Sequence, residues 1–188
     1  MLKLQIIIAS TRPGRAGGAI GNWFYNYAVS HGAFDVELVD LAQIRLPFLD
    51  EEAHPRFKKY EHEHTKAWSA KIESADAYVM VTPEYNYGSP PSLVNALDCL
   101  SKEWAYKPVG FVSYGGVSAG TRSVQMTKQI VTALKMMPMA EAVAIPFFTQ
   151  FLDKEKDLFT PPSSQEDAGK IMLDELLKWA QALRPMRA

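Results

Sequence analysis

The sequence of 188 residues has little cysteine, no excess of charge of one sign and no long apolar run. Its one cysteine, Cys99, excludes an internal disulfide and favours a reducing, cytoplasmic environment. Twenty Lys and Arg residues against 21 Asp and Glu residues give a net charge of −1, which offers no field for wrapping nucleic acid. Apolar runs fall short of the roughly twenty residues of a membrane span, and residues 1–9 are too interrupted for a secretory signal. We therefore expect a soluble, cytoplasmic protein that uses neither nucleic acid nor membrane.

The sequence does contain enough apolar material for a packed core. Hydrophobic residues make up 47% of the chain, and a chain of this length suits one domain better than two. We see no linker, repeat or low-complexity tract. A single domain over residues 1–188 is therefore expected.

Short β-rich runs alternate with helical patterns along the chain. Strands are predicted at residues 4–9, 34–41, 77–82 and 109–114, with a weaker fifth at 142–146. The first, third and fourth runs are almost continuously apolar, as in strands covered on both faces of a parallel sheet. Apolar residues at helical spacing lie between the runs; one such stripe consists of Met126, Ile130, Leu134 and Met137.

This alternation predicts an α/β fold, a flavodoxin-like three-layer sandwich. Its five-stranded parallel sheet has the order 2-1-3-4-5, with helices on both faces. Ser89 before Pro90, and Ser163 with Glu166, have the spacing of helix caps. The stretches 43–61 and 147–162 look irregular and are candidates for interface or lid segments. Ligands of such sheets bind at the carboxyl ends of the strands, so function should lie in the loops after strands 1, 3 and 4.

The loop after strand 1 has the composition of a phosphate site. It reads Ser10-Thr11-Arg12-Pro13-Gly14-Arg15-Ala16-Gly17-Gly18. Glycines let backbone N–H groups approach an anion, a helix start favours negative charge, and arginine binds phosphate bidentately. A tight turn with surface arginines is the alternative, but the whole set favours phosphate. Because the glycine patterns of P-loop and Rossmann sites are lacking, Asp40 at the end of strand 2 is interpreted as a helix cap or surface charge.

The loops after strands 3 and 4 suit a flat ring. Residues 82–91 hold two tyrosines and an amide in a turn stiffened by proline, although a structural turn that covers the core fits equally well. The glycine pair in residues 113–120 allows the backbone to approach a ring edge. Together with the phosphate loop, these segments predict a mononucleotide with an aromatic head, of which flavin mononucleotide (FMN) is the natural case.

The same segments resemble those of the NADPH-dependent FMN reductase family of flavodoxin-like flavoproteins. The resemblance covers residues 4–146 and is strongest in Ser10-Thr11-Arg12-Pro13-Gly14-Arg15, in the stretch from Pro83-Glu84-Tyr85-Asn86-Tyr87-Gly88 to Asp98, and in Gly115-Gly116-Val117-Ser118-Ala119-Gly120. One departure is Gly17-Gly18, where relatives often place a serine that helps to hold phosphate.

The resemblance implies FMN as cofactor and NADPH or NADH as co-substrate. The implied phosphate ligands are Ser10, Arg12 and the backbone amides of Gly17, Gly18, Ala19 and Ile20. The implied contacts of the flavin ring are Pro83, Glu84, Tyr85 and Asn86, and those of its pyrimidine edge are Ser113, Tyr114, Gly115 and Gly116. For Arg15 two interpretations stay open: it contacts the extra phosphate of NADPH, or it is a solvated surface charge.

The activity implied is transfer of a hydride from NAD(P)H to flavin N5, followed by reduction of a quinone, azo compound, free flavin or similar acceptor in ping-pong turnover. FMN carries this chemistry, so no catalytic side chain is assigned. Family members are homodimers or homotetramers. A flavodoxin-type electron carrier and a non-catalytic flavin-binding module are the alternatives; the near-neutral charge and the arginines of the phosphate loop favour the enzyme. No metal site is expected from the histidines at 54, 62 and 64, which lack matching ligands.

Overall fold

The computed structural model describes residues 1–187 and contains a parallel sheet. Its strands are β1 (Leu2–Ile8), β2 (Phe34–Asp40), β3 (Ala77–Pro83), β4 (Pro108–Tyr114), β5 (Met137–Pro138) and β6 (Val143–Ile145). The order is β2-β1-β3-β4, and both β5 and β6 pair with the free edge of β4. The predicted order 2-1-3-4-5 is confirmed, and the fifth position is divided between two short strands.

Helices cover both faces of the sheet. They are α1 (Gly17–His31), α2 (Leu41–Ile44), α3 (Glu63–Glu73), α4 (Pro91–Asp98), α5 (Thr121–Ala133) and α6 (Ser163–Leu183). Alternate strand residues enter two separate cores. Ile6 packs with the cluster that includes Phe24 of α1 and Leu173 of α6, whereas Ile7 packs with the cluster that includes Trp68 of α3 and Leu97 of α4. The predicted three-layer sandwich is therefore confirmed.

Both predicted helix caps are wrong. Helix α4 begins at Pro91 with Pro90 as its N-cap, and the hydroxyl of Ser89 instead donates to the carbonyl of Ser123 at 3.0 Å. Helix α6 begins at Ser163 itself, with Pro162 as the N-cap and no side-chain capping bond. Serine hydroxyls also bond to nearby elements of the fold, so capping spacing alone does not decide their partner.

The predicted apolar face of α5 is correct in part, because Ile130 and Leu134 pack against the core. This helix ends at Ala133, so Met137 lies in β5, and Met126 is largely exposed. The buried face is made instead of Ser123, Val124, Thr127 and Val131. Small hydroxyl residues occupy half of this face because their hydroxyls bond within the fold. The Thr127 hydroxyl bonds to that of Ser89 and donates to the carbonyl of Ser123, and the Ser123 hydroxyl bonds to that of Thr82 in β3.

The two irregular stretches each contain a short ordered element. In residues 147–162, two strands, β7 (Leu152–Asp153) and β8 (Leu158–Phe159), form an antiparallel hairpin. Phe159 of this hairpin is buried against Trp23 of α1, with ring centroids 5.4 Å apart. The stretch 43–61 contains a 3-10 turn at Pro55–Phe57. Within residues 1–187, none of the helices has the length and apolarity needed to cross a bilayer.

Candidate functional site

The sheet brings the three predicted loops to one cavity. Strands β1, β3 and β4 are adjacent and parallel, so their carboxyl ends lie side by side. The loops that follow them enclose a cavity of about 350 Å³. Its lining residues include Arg12, Gly14, Arg15, Ala16, Pro83, Glu84, Tyr85, Tyr114, Gly115 and Gly116. Eight of the fifteen predicted site residues are therefore in the lining. The other seven are not: Ser10, Gly17, Gly18, Ala19, Ile20, Asn86 and Ser113.

The start of α1 carries free amide donors next to this cavity, whose lining includes the N-cap Ala16. The first turn of an α-helix leaves its N–H groups without intrahelical partners. The N-cap of α1 is Ala16, whose methyl group cannot accept a hydrogen bond, so the N–H groups of Gly17, Gly18 and Ala19 are open to an anion. Ile20 differs from these three, because its N–H donates to the carbonyl of Ala16 at 3.1 Å and its side chain is buried in the core.

Two buried hydroxyls lie directly beneath this helix start. The hydroxyl of Tyr114 donates to that of Ser10 at 3.2 Å. Burial raises the pKa of Tyr114 to about 12, so the phenol keeps its proton. A methyl group on Gly17 would lie 2.6 Å from the Tyr114 oxygen and would overlap the Ser10 oxygen. Glycine at position 17 is therefore what lets Ser10 and Tyr114 approach the first turn of α1. We call Ser10, Tyr114 and the first turn of α1 the anion cradle.

The two arginines of the phosphate loop have different surroundings. The guanidinium of Arg15 donates two hydrogen bonds to the carboxylate of Asp40 and one to the carbonyl of Ser10. The hydrogen bond with Asp40 raises the pKa of Arg15. Interpreting Arg15 as a solvated surface charge is therefore wrong, and any phosphate would compete with Asp40 for it. Arg12 is exposed at the cavity, and no ion pair within the described chain includes it.

Asp40 has a second partner that explains its position. Its carboxylate also accepts from the N–H of Ala42 at 3.0 Å, which caps the four-residue helix α2. The interpretation of Asp40 as a helix cap is confirmed. Because β1 and β2 are paired so that Ile8 faces Asp40, the carboxylate stands next to the loop that carries Arg15.

The loop after β3 is a rigid tight turn. Tyr85 and Gly88 exchange two backbone hydrogen bonds, of 3.0 and 2.9 Å. Between them Asn86 and Tyr87 both adopt left-handed backbone conformations, with φ of 50° and 69°. Side chains other than asparagine and aspartate rarely adopt this conformation, and such residues cluster at ligand-binding sites. The turn presents Tyr85 to the cavity, whereas Asn86 lies at its tip and is not among the lining residues.

Glu84 joins this turn to the loop after β4. Its side chain is only 7% exposed, and its carboxylate accepts hydrogen bonds from the Ser118 hydroxyl at 3.0 Å and from Arg122 Nε at 2.6 Å. Burial alone would raise the pKa of Glu84, but these hydrogen bonds lower the pKa below its ordinary value. Glu84 therefore stays charged and holds the two loops together. The Arg122 guanidinium also stacks on the ring of Tyr87, 3.8 Å from its centroid.

Several cavity residues were missed by sequence reasoning. Phe148, Thr149, Leu152 and Lys154 line the side formed by the segment 147–162. The only sequence signal for them was the irregular composition of that segment. Arg122 was also missed, although a buried acid such as Glu84 requires a nearby cation.

Ser113 was predicted to contact the ring but does not line the cavity. It is buried, and its hydroxyl has no hydrogen-bond partner in residues 1–187.

Comparisons with known proteins identify the family and agree with the fold. The family model described as NADPH-dependent FMN reductase matches residues 2–150. The chain is 40% identical over 148 residues to an NAD(P)H-dependent FMN reductase of Schizosaccharomyces pombe, covering 77% of this chain and 74% of that protein. It is 30% identical over 146 residues to an NADPH:quinone oxidoreductase of Arabidopsis thaliana, covering 76% and 67%. Among solved structures, the flavoenzyme NAD(P)H:(acceptor) oxidoreductase FerB of Paracoccus denitrificans has a similar fold, with a TM-score of 0.76, 18% identity and coverage of 97% and 98%.

Proposed function

The chain belongs to the NADPH-dependent FMN reductase family, and from this premise we propose how it acts as an FMN-dependent oxidoreductase that oxidises NAD(P)H. The observation that carries the proposal is that the anion cradle at the start of α1 lies near the rigid turn that presents Tyr85. Tyr114 of the cradle, the N-cap Ala16 and Tyr85 line one cavity, and the rest of the cradle adjoins Tyr114 and Ala16. The cradle and the turn match the two ends of a mononucleotide whose head is a flat ring.

The residues present fit FMN. The cradle offers the N–H groups of Gly17, Gly18 and Ala19 and the hydroxyl of Ser10 to a phosphate, and the exposed guanidinium of Arg12 adds a charge. The N-cap alanine leaves the helix start without a side-chain acceptor, so an external anion is its natural partner.

The ring would lie against the turn after β3 and the glycines after β4. Pro83 and Tyr85 offer apolar faces, whereas the backbone of Gly115 and Gly116 offers polar groups to a ring edge. The Glu84–Arg122 pair fixes the distance between these two loops. The proposed contacts through Asn86 and Ser113 are those that the cavity lining supports least.

When bound, FMN supplies the centre that accepts hydride from NAD(P)H and returns electrons to an acceptor. The chain binds, orients and shields this group. Tyr114, with its raised pKa, remains a protonated donor that holds Ser10 in place. Glu84, with its lowered pKa, remains a carboxylate at neutral pH and is unsuited to donate a proton. The absence of an assigned catalytic side chain is therefore consistent with the groups that line the cavity.

We further propose a quinone, azo compound or free flavin as acceptor, and a single cytoplasmic domain that assembles as a homodimer or homotetramer. The name of the A. thaliana relative supports a quinone, and the single, buried cysteine is compatible with the cytoplasm. Large apolar side chains stand exposed on loops at this end of the molecule: Phe48, Leu49, Tyr87, Val117 and Phe147. Such a concentration is typical of a contact surface. Size-exclusion chromatography should give a multiple of 21.0 kDa.

Anaerobic reduction tests the function directly. Protein loaded with FMN is mixed with NADPH or NADH in a stopped-flow instrument. The visible absorbance of oxidised flavin should then fall. A quinone added afterwards should restore the absorbance and, in excess, sustain turnover. Flavin that stays oxidised with both nucleotides would identify a one-electron carrier. Flavin that is reduced once but not reoxidised by any acceptor would identify a binding module without turnover.

A further inference from the structure

A second cavity opens beside the flavin crevice. It has a volume of about 560 Å³, and Arg12 and Tyr85 line both cavities, so the two are neighbours that share a wall. Its floor is the start of α4, and its other walls are α2 and the loop that follows it. This cavity could not be predicted, because the loop that forms one of its walls lies in the stretch 43–61, which was identified only as irregular.

The charged side chains that line the second cavity are all of one sign. Its described lining includes two arginines, Arg12 and Arg45, and no carboxylate. Arg45 is exposed, and no ion pair formed within residues 1–187 includes it. An arginine without a carboxylate partner, at the wall of a cavity, is available for an anionic ligand.

Arg45 is held in a defined position. It ends α2 in a left-handed conformation, with φ of 54°, and its N–H donates to the carbonyl of Leu41 at 3.1 Å. The loop beyond it is attached to α4 through Asn95, whose side chain donates to the carbonyl of Pro47 at 2.8 Å and accepts from the N–H of Leu49 at 3.0 Å. The segment that carries Arg45 is therefore fixed at both ends.

The neutralisation of Asp40 indicates which anion can approach. An unpaired carboxylate close to Arg45 would repel a 2′-phosphate, whereas a carboxylate that is paired with an arginine repels it less. Here the carboxylate of Asp40 is occupied by Arg15 and by the N–H of Ala42. The acid that would repel a 2′-phosphate is thus paired, and the unpaired cation Arg45 follows five residues later.

We propose that the second cavity binds the phosphorylated adenosine half of NADPH, with Arg45 as the ligand of the 2′-phosphate. This assignment rests on the proposed function, since the nicotinamide must reach the adjoining flavin crevice. Leu46, Pro47 and the 80% exposed Phe48 supply apolar surface for the adenine. The assignment also transfers to Arg45 the contact that the sequence suggested for Arg15, whose guanidinium is bound to Asp40.

Binding of two nucleotide fragments tests the site without turnover. FMN-loaded protein is titrated by calorimetry with adenosine 2′,5′-bisphosphate and with AMP, which lacks the 2′-phosphate. The native protein should bind the bisphosphate at least about tenfold more tightly, the range of one charge-assisted contact. Arg45→Ala should reduce this preference to about twofold or less, and Arg45→Lys should keep part of it. Equal preference in the native protein and in Arg45→Ala would overturn the assignment.

Arg56→Ala is the matched control. Arg56 is also exposed, no ion pair within the described chain includes it, and it lies outside both nucleotide cavities. Its replacement should leave the preference for the bisphosphate unchanged. If Arg56→Ala removes the preference as fully as Arg45→Ala does, general surface charge is responsible and the assignment of Arg45 fails.

Steady-state kinetics separate this inference from the proposed function. Arg45→Ala should raise KM for NADPH about tenfold and leave KM for NADH, and kcat with either nucleotide, within about twofold. A native protein that oxidises neither nucleotide would refute the proposed function itself. Normal turnover with an unchanged KM for NADPH in Arg45→Ala would refute only the role of Arg45. A change of oligomeric state in this variant, with unaltered bisphosphate binding, would show that the cavity is a subunit contact and would also refute that role.

Discussion

The two ends of the strands use polar groups in opposite ways. We call the side of the sheet where the parallel strands begin the amino edge and the side where they end the carboxyl edge. At the amino edge, Lys107 precedes β4 and is only 3% exposed. Its ammonium donates to the carbonyls of Ile72 and Glu73, at 2.9 and 3.1 Å, and so caps the end of α3; it also donates to the hydroxyl of Tyr78. This buried charge is satisfied entirely by the chain.

Glu103 repeats the pattern near the same edge. Its fully buried carboxylate accepts from the hydroxyls of Ser69 and Tyr60, at 2.7 and 2.8 Å, and from the N–H of Ser101 at 3.2 Å. Burial alone would raise the pKa of Glu103, but these hydrogen bonds lower it below its ordinary value. The acid attaches the loop that ends in Tyr60 to α3.

At the carboxyl edge, polar groups are brought together but left with unused hydrogen-bonding capacity. The first turn of α1 ends in an alanine cap, and Arg12 and Arg45 line cavities without a carboxylate partner among residues 1–187. In a parallel α/β sheet, helices start at one edge and end at the other. The same helix polarity therefore gives Lys107 its carbonyls and gives a phosphate its N–H groups. Lys107 and Glu103 are satisfied by the chain itself, whereas the first turn of α1, Arg12 and Arg45 keep donors for a ligand.

Removing the amino-edge cation should give the largest effect, on stability alone. Lys107→Met keeps the volume but removes the ammonium from the carbonyl of Glu73 and from that of Ile72, which keeps the Tyr78 hydroxyl and the Ala75 N–H as donors. We expect the free energy of unfolding to fall by about 3 kcal/mol. FMN affinity should stay within about twofold, because β4 separates Lys107 from the flavin crevice by roughly 20 Å. Urea denaturation and FMN titration measure the two quantities. A parallel loss of FMN affinity would show that the edges do not act separately.

The pH dependence of stability in the native protein and in Lys107→Met shows whether the buried ammonium of Lys107 causes the difference between them. Burial lowers the pKa of Lys107 from 10.5 to about 8. Between pH 8 and 10 the unfolded chain therefore binds more protons than the folded one, so this residue makes the native protein more stable as the pH rises. The stability difference between native protein and Lys107→Met should widen by about 1–2 kcal/mol over that range. A difference that is constant from pH 7 to 10 would mean that Lys107 titrates normally.

The next largest effect should come from Gly17→Ala, on FMN affinity. The added methyl group would overlap the Ser10 hydroxyl and press on that of Tyr114, so the anion cradle must open. We expect FMN to bind about a hundredfold more weakly, which corresponds to about 2.7 kcal/mol. Fluorescence quenching of FMN on binding measures the dissociation constant.

Gly32→Ala is the control at the other end of the same helix. Gly32 ends α1 with φ of 74°, and a methyl group there meets no atom within 4 Å. Its replacement should cost about 1 kcal/mol of stability through backbone strain and leave FMN binding unchanged. If both variants weakened FMN binding equally, general loosening of α1 would explain the result and the anion cradle would not.

Elements that depend on chain periodicity could be predicted from the sequence. The alternation of strand and helix patterns predicted the sheet order, and the almost continuous apolar runs of β1, β3 and β4 indicated their burial. That order brings residues 10–16, 83–85 and 114–116 together. The division of the fifth strand position was not predicted, because β5 has two residues and β6 three. Segments this short carry no usable period.

Features that depend on the choice between side-chain partners could not be predicted. Arg15 and Asp40 both stood out in the sequence, but their pairing requires the register that sets Ile8 beside Asp40. Glu84 and Arg122 lie 38 residues apart and meet only because the loops after β3 and β4 are neighbours. Each of these polar groups has several partners of suitable chemistry within the chain, and tertiary packing decides among them.

The smallest effect that we predict is a gain, and it tests whether the anion cradle has spare capacity. A methyl group on Gly18 meets no atom within 4 Å, so Gly18→Ser adds a hydroxyl to the first turn of α1 without displacing anything. One further hydrogen bond to a phosphate should tighten FMN binding by about three- to tenfold. Gly18→Ala is the matched control, because it brings a similar gain in helix propensity but no hydroxyl.

Tighter FMN binding in the serine variant alone would mean that the anion cradle has room for one more hydrogen bond to the phosphate. Equal gains in both variants would mean that a stiffer helix causes the effect. No change in either would mean that the backbone amides and Ser10 already satisfy the phosphate, and the contrast between the two edges would then lie in their partners and not in unused capacity.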